Sequence, residues 1–123
     1  MRFLPIVLLV ACGQDQTPAV CEQMCRAAAD LYGDCLDEWG VDWAAAGYDN
    51  EKAYIHSCET WSWEMSILEE DALDNDQIDK GGWVESTCED RDAIFSRDDA
   101  TCLDYTDIDW NHTPWDHKGG DQL

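Results

Sequence analysis

Basic side chains are scarce in this sequence, which holds 7 lysines and arginines against 28 aspartates and glutamates. Proteins that bind nucleic acids or anionic lipid headgroups use cationic side chains to neutralise phosphate, and a net charge of −21 repels such partners. The composition therefore excludes binding of polyanions. The electrostatic field of such a chain suits cations and basic partners instead.

The motifs of several enzyme classes are also missing. The chain contains no Cys-x-x-Cys redox motif, no Gly-x-Ser-x-Gly nucleophile elbow and no His-Glu-x-x-His zinc motif. Its three histidines, His56, His112 and His117, do not make a zinc site without free cysteines. Pairs of carboxylates, as in glycosidases, carry no information where 28 acidic residues make chance pairs inevitable. We therefore expect a non-enzymatic protein with no cofactor.

Long apolar runs are absent too. The apolar stretch at residues 3–10 is about eight residues long, whereas a helix that spans a bilayer needs about 20. Arg2 precedes this stretch and the small residue Ala11 follows it. A basic start, a short apolar run and a small residue at the cleavage point are typical of a secretory signal peptide.

The end of this leader carries a more specific pattern. Residues 9–12 read Leu-Val-Ala-Cys, which resembles the lipobox of bacterial lipoproteins. The resemblance implies that residues 1–11 are a signal peptide, that Cys12 is acylated as the mature N-terminus, and that residues 12–17 are a lipidated tether. It places the protein in the bacterial cell envelope, and Gly13 in place of an aspartate after the cysteine favours the outer membrane.

The cysteine count agrees with this interpretation. Seven cysteines are present, and acylation of Cys12 leaves an even number. Six thiols in an exported chain indicate three disulfides, which a domain of roughly a hundred residues needs because its core is small. The predicted disulfide cysteines are Cys21, Cys25, Cys35, Cys58, Cys88 and Cys102.

The spacing of apolar residues predicts helices. Steps of three and four residues indicate helices over 18–39 and 50–73, and a third helix begins near Trp83 and runs through Phe95. Thr17 followed by Pro18 is expected to cap the first helix, and Gly40 to end it. Asp49 or Asn50 is expected to cap the second helix. Asp98-Asp99 is expected either to cap a separate short helix with Cys102 or to lie within a longer third helix. The acidic residues of the second helix should face water, namely Glu51, Glu59, Glu69 and Glu70.

No alternating strand pattern, internal repeat or low-complexity run occurs anywhere in the chain. Together with seven tryptophans, four tyrosines and two phenylalanines, the helical periodicity argues against a disordered chain. The predicted fold is a small all-α bundle of about three helices, stapled by disulfides over residues 18–105. An irregular acidic and aromatic tail follows at residues 106–123.

The disulfide pairing depends on how the helices pack. Cys21 and Cys25 lie one helical turn apart, with Cβ atoms about 5–6 Å apart against the roughly 3.8 Å of a disulfide, so they do not pair with each other. An antiparallel hairpin predicts the nested pairs Cys21–Cys102, Cys25–Cys88 and Cys35–Cys58. Two long parallel helices would instead join Cys21 to Cys88 and Cys35 to Cys102. This alternative follows because Cys35 lies fourteen residues after Cys21, and Cys102 lies fourteen residues after Cys88. The break at Asp98-Asp99 favours the nested set. This set resembles the saposin-like proteins, although the Cys-x-x-x-Cys start and the other spacings depart from that family.

Calcium is the one metal with a partial ligand pattern. Asp107, Asp109 and Asn111 have the spacing of a calcium loop, with Asp116 further along. His112 stands where an EF-hand needs glycine, and Lys118 where it needs glutamate. A calcium-dependent binding domain that uses the acidic turns at 74–85 and 107–116 is therefore the alternative to our preferred function.

The tryptophans suggest where a partner would bind. Trp61 lies on the apolar stripe of the second helix and is predicted to be in the core. Trp110 and Trp115 have no such position, and exposed aromatic rings contact sugars or fill pockets of a partner. We therefore expect a lipid-anchored envelope protein of interaction or structural type, with a protein or glycan partner and its binding surface around Trp110 and Trp115.

Overall fold

The computed structural model describes residues 17–115, and these residues form helices without any strand. The predicted all-α fold and the three long helices are confirmed. A separate short helix follows Asp98-Asp99, but Thr101 caps it and neither aspartate does. The predicted leader, Cys12 and Asp116 lie outside the described residues. The helices are α1 (Ala19–Trp39), α2 (Glu51–Asp74), α3 (Trp83–Phe95) and α4 (Cys102–Thr106).

Two helix ends follow from local chemistry as predicted. Gly40 adopts the left-handed conformation with φ of 75°, which lets the Val41 N–H donate to the carbonyl of Leu36 and ends α1. The Asn50 side chain accepts a hydrogen bond from the Ala53 N–H at 2.9 Å and so caps α2. Both ends depend on residues within one turn, which is why the sequence predicts them.

The start of α1 differs from the prediction. Pro18 is the N-cap residue, and no side chain caps the helix. The Thr17 hydroxyl, predicted to cap α1, instead donates to the carbonyl of Glu59 on α2 at 3.3 Å. A tertiary hydrogen bond between the first two helices has therefore replaced a local cap.

The central element of the bundle is α1, which contacts each of the other three helices. Its three cysteines are fully buried, and each joins α1 to a different partner helix. The contacts show that α3 runs in the same direction as α1 and that α2 runs in the opposite direction. The disulfides are Cys21–Cys88 to α3, Cys25–Cys58 to α2 and Cys35–Cys102 to α4.

The preferred nested pairing was wrong, and the parallel-helix alternative describes the pairs of Cys88 and Cys102. The chain does break after α3, but it then resumes along α1 in the same direction, which brings Cys102 beside Cys35. The predicted hairpin pair Cys35–Cys58 fails because the connector between α1 and α2 folds back along α1. The connector residue Trp43 packs against Gly33, so α2 starts beside the middle of α1 rather than its end.

One acidic residue of α2 is buried, contrary to the prediction that it faces water. Glu69 is 8% exposed, and its carboxylate accepts hydrogen bonds from the N–H groups of Gly82, Trp83 and Val84 at 2.5, 3.2 and 2.9 Å. The N-terminus of α3 has no side-chain cap of its own, so Glu69 supplies one from another helix. The glycine at position 81 makes room for the Glu69 carboxylate, because a Cβ on Gly81 would lie 3.0 Å from the Glu69 Oε2.

Gly33, in the middle of α1, gives a test of the folded-back connector. A Cβ on Gly33 would lie 3.2 Å from Cζ2 of Trp43, and this ring is held by its neighbours Tyr48 and Tyr54. We expect Gly33→Ala to destabilise the protein by about 1 kcal/mol, because crowding outweighs the gain in helix propensity. Urea denaturation measures the change. In a Trp43→Leu background the same substitution should be stabilising, and equal effects in both backgrounds would contradict the contact.

Candidate functional site

A cleft lined by aromatic rings lies between the connector, α2, α4 and the segment 107–115. We call it the aromatic cleft, and its volume is about 180 Å³. The Ser57 side chain and the disulfide-bonded Cys58 complete its wall. Its rings are those of Tyr48, Tyr54, Trp61, Tyr105 and Trp110.

The α2 side of the cleft follows from helical geometry. Residues 57 and 58 follow residue 54 by three and four positions, and residue 61 follows them by four and three, which places the four side chains on one face of the helix. The disulfide of Cys58 fixes this face against α1. The sequence assigned Trp61 of this face to the core, and the structure shows that it borders an open cleft.

Tyr105 is brought to the cleft by α4. This helix starts with a capping box, in which the Thr101 N–H donates to the Asp104 carboxylate at 2.8 Å and the Thr101 hydroxyl accepts from the Asp104 N–H. The disulfide at Cys102 ties the helix to α1. The Tyr105 ring then stacks on Tyr32 of α1 with centroids 4.7 Å apart. Cap, disulfide and stacking together fix the position of the tyrosine.

The hydroxyls of Tyr54 and Tyr105 form a hydrogen bond of 2.5 Å beside the cleft. Burial raises the pKa of Tyr105 to about 12. Burial also raises the pKa of Tyr54, and the nearby Tyr105 raises it further. Both phenols are therefore protonated at neutral pH. None of the described residues that line the cleft carries a charge.

A buried arginine of α3 holds two of the cleft rings. The guanidinium carbon of Arg91 lies 5.2 Å from the ring centroid of Trp61 and 4.7 Å from that of Trp110. Its Nη2 donates to the carbonyl of Asp109 at 3.3 Å. Burial lowers the pKa of Arg91, and the Asp109 charge acts in the opposite direction. The two tryptophan faces thus already accept one cation within the fold.

The segment after α4 is fastened to the bundle at the same place. The Trp61 Nε1 donates to the carbonyl of Trp110 at 3.1 Å, and the two rings meet edge to face at 87°. Further along, Thr113 is buried. The part of the predicted tail that the structure describes therefore packs on α2 and α3 and contributes Trp110 to the cleft.

The two tryptophans predicted to bind a partner lie in different surroundings. Trp110 is half-buried and lines the aromatic cleft. Trp115 is 7% exposed, and its ring meets that of Trp83 edge to face with centroids 5.2 Å apart. Trp61, predicted for the core, is half-buried and lines the cleft as well. Sequence reasoning missed the three cleft tyrosines, and the aromatic pair at positions 54 and 61 was the available signal.

The predicted calcium ligands do not gather in the described residues. The Asp109 carboxylate accepts a hydrogen bond from the Asn111 N–H at 3.1 Å, as in an ordinary turn. Asp107 is exposed and ends α4. Within residues 17–115, no group of three or more histidine, cysteine or acidic side chains is placed to hold a metal ion.

A comparison of the chain with family models, with curated proteins and with solved structures finds no match. Over residues 17–115, none of the helices has the length and apolar character needed to cross a membrane.

Proposed function

We propose that this protein is a lipid-anchored, non-enzymatic binding module of the bacterial cell envelope, which presents its aromatic cleft to a partner. The observation that carries the proposal is the disulfide pairing. The six cysteines from Cys21 to Cys102 pair with one another, and each can pair only once. The three bonds use six of the seven cysteines in the sequence, and the seventh, Cys12, stands in the lipobox-like Leu-Val-Ala-Cys, which agrees with a modification of its own.

The disulfides also support export. Protein disulfides persist in oxidising compartments such as the bacterial periplasm and are rare in the cytosol. All three bonds of this bundle join α1 to another helix, so they belong to the folded architecture. An exported protein with an acyl chain on Cys12 would hold the bundle close to a membrane through the tether at residues 12–17.

The composition of the aromatic cleft favours binding over catalysis. Its walls are aromatic rings and hydroxyl groups, and its buried phenols keep their protons at neutral pH. General acid–base catalysis works best with a group whose pKa lies near the working pH. The described lining offers surfaces that hold a ligand by stacking and apolar contact instead.

The anchor is tested by Cys12→Ser. We expect this variant to lose incorporation of labelled palmitate and to move from the membrane fraction to the soluble fraction, because the thiol is the site of acylation. Labelling and fractionation of cells that express the full chain measure both. Gln14→Ala, in the same tether, should keep the label and the membrane location. Unchanged fractionation of the serine variant would contradict the lipid anchor.

A further inference from the structure

We propose that the aromatic cleft binds a quaternary ammonium group, such as the trimethylammonium group of free choline or of a phosphocholine lipid headgroup. This inference rests on the proposed function as a binding module. The proposed lipid anchor determines only where in the cell the protein would bind the ligand. Three properties of the cleft support it, namely the arrangement of its rings, its lack of charged walls and its size.

The rings are arranged as the walls of a cage. Tyr48 and Tyr54 meet at 83° with centroids 5.1 Å apart, and Trp61 and Trp110 meet at 87° with centroids 5.4 Å apart. The two rings of each pair therefore face in different directions, as adjacent walls of a cage do. The negative face of each ring attracts a cation, and several such rings together recognise quaternary ammonium groups.

The chemistry of the walls selects this kind of cation. A metal ion or a primary ammonium must exchange its water for hydrogen-bonding or carboxylate ligands, and no charged residue lines the described cleft. A quaternary ammonium has no N–H group and needs no such partners. A sugar would need several free hydrogen-bonding groups, whereas the hydroxyls of Tyr54 and Tyr105 already bond to each other, which leaves those of Tyr48 and Ser57.

The net charge of the protein and the volume of the cleft restrict the ligand to a small cation. The net charge of −21 attracts cations to the protein and repels anions. A volume of about 180 Å³ is below the roughly 300–1,000 Å³ of pockets for drug-sized ligands, so the ligand is a small group. Arg91 does not line the cleft, but it lies against Trp61 and Trp110 and already occupies these two rings with a positive charge, so the tyrosine rings supply most of the attraction for a second cation.

A titration of the mature protein in uncharged maltoside micelles tests the inference. Choline chloride is added at constant ionic strength, and tryptophan fluorescence and calorimetry follow binding. We expect saturable binding in the millimolar range. 3,3-Dimethyl-1-butanol, which has the same shape with carbon in place of nitrogen, should bind at least tenfold more weakly. Equal binding of the two compounds, absence of saturable binding, or preferential binding of glucose would each overturn the proposal.

A second pair of ligands distinguishes the two sources of the group. Short-chain phosphatidylcholine and short-chain phosphatidylglycerol differ in the headgroup. Tighter binding of the phosphatidylcholine than of choline would identify a lipid headgroup as the ligand, and the reverse order would identify a free quaternary ammonium compound. Equal binding of the two lipids, without binding of choline, would overturn the proposal.

Substitutions of cleft residues test whether choline binds in the aromatic cleft. Ser57 is exposed and lines the cleft, so Ser57→Trp should fill the space and abolish choline binding without disturbing the core. Tyr48→Leu, which removes a wall, should weaken binding at least tenfold. Tyr105→Phe keeps its ring and should stay within about twofold of the parent, as cation–π attraction needs no hydroxyl. Trp39→Leu, at an exposed ring outside the cleft, is the control and should bind normally.

The choline-binding experiments can fail or succeed independently of the test of the lipid anchor. Circular dichroism establishes that each variant is folded, and a folded Ser57→Trp protein that still binds choline would overturn the proposal. The titration uses purified protein and measures the cleft alone. Loss of membrane attachment in Cys12→Ser is measured in cells and concerns the proposed anchor. A protein that is anchored but does not bind choline therefore contradicts only this inference.

Discussion

Full reduction of the three disulfides is expected to unfold the bundle near room temperature. The bonds close loops between cysteines that are 67, 33 and 67 residues apart in the sequence. On the chain-entropy model each such loop stabilises the folded state by about 4 kcal/mol. The whole free energy of unfolding of a domain is typically about 5–15 kcal/mol. Losing all three constraints therefore removes stabilisation comparable to the total.

The charge of the protein makes this effect depend on salt. A chain with 28 acidic and 7 basic residues repels itself in the compact state. The screening length is about 30 Å at 0.01 M salt and about 8 Å at 0.15 M. We expect far-UV circular dichroism to show the largest loss of helix in the reduced protein at low salt. A helical signal that survives full reduction at low salt would contradict the prediction.

A variant in which one cysteine is replaced tests the disulfide pairing. Cys25→Ala removes the partner of Cys58 and should leave that thiol free. Alkylation without reductant, followed by peptide mapping, would then label Cys58 alone. The nested pairing would instead free Cys88, so the labelled peptide decides between the two patterns.

Glu69→Ala is expected to lower the free energy of unfolding by about 3 kcal/mol. The substitution leaves the N–H groups of Gly82, Trp83 and Val84 without their acceptor at the start of α3. Loss of a helix cap costs about 0.5–2 kcal/mol, and hydrogen bonds to a charged group contribute about 1.5–3 kcal/mol each. Urea denaturation of the oxidised protein measures the change.

Two substitutions separate the cap from general effects on α2. Glu69→Gln keeps an oxygen acceptor but loses the charge, so we expect about half of the loss. Glu70→Ala changes the exposed neighbour on the same helix and should stay within about 0.5 kcal/mol of the parent. Equal effects of Glu69→Ala and Glu70→Ala would show that the buried carboxylate does not stabilise α3.

Several features of this protein were determined by the sequence alone. The helices follow from apolar residues at steps of three and four, and the ends at Gly40 and Asn50 follow from contacts within one turn. The number of disulfides follows from six cysteines beyond Cys12. These features are local or countable, so they do not depend on how one helix lies against another.

The tertiary structure decided the rest. Packing of Trp43 against Gly33 shifts α2 along α1, and this shift selects Cys58 rather than Cys88 as the partner of Cys25. Docking of α3 onto α2 buries Glu69, because a helix N-terminus needs an acceptor that its own residues do not supply.

The aromatic cleft depends even more on tertiary structure. Of its rings, the sequence suggested only Trp110 as a binding residue, and it assigned Trp61 to the core. Tyr48 comes from the connector and Tyr105 from α4, 57 residues later in the chain. No local pattern relates such distant residues. They meet because the disulfides at Cys58 and Cys102 hold α2 and α4 against the same helix, α1.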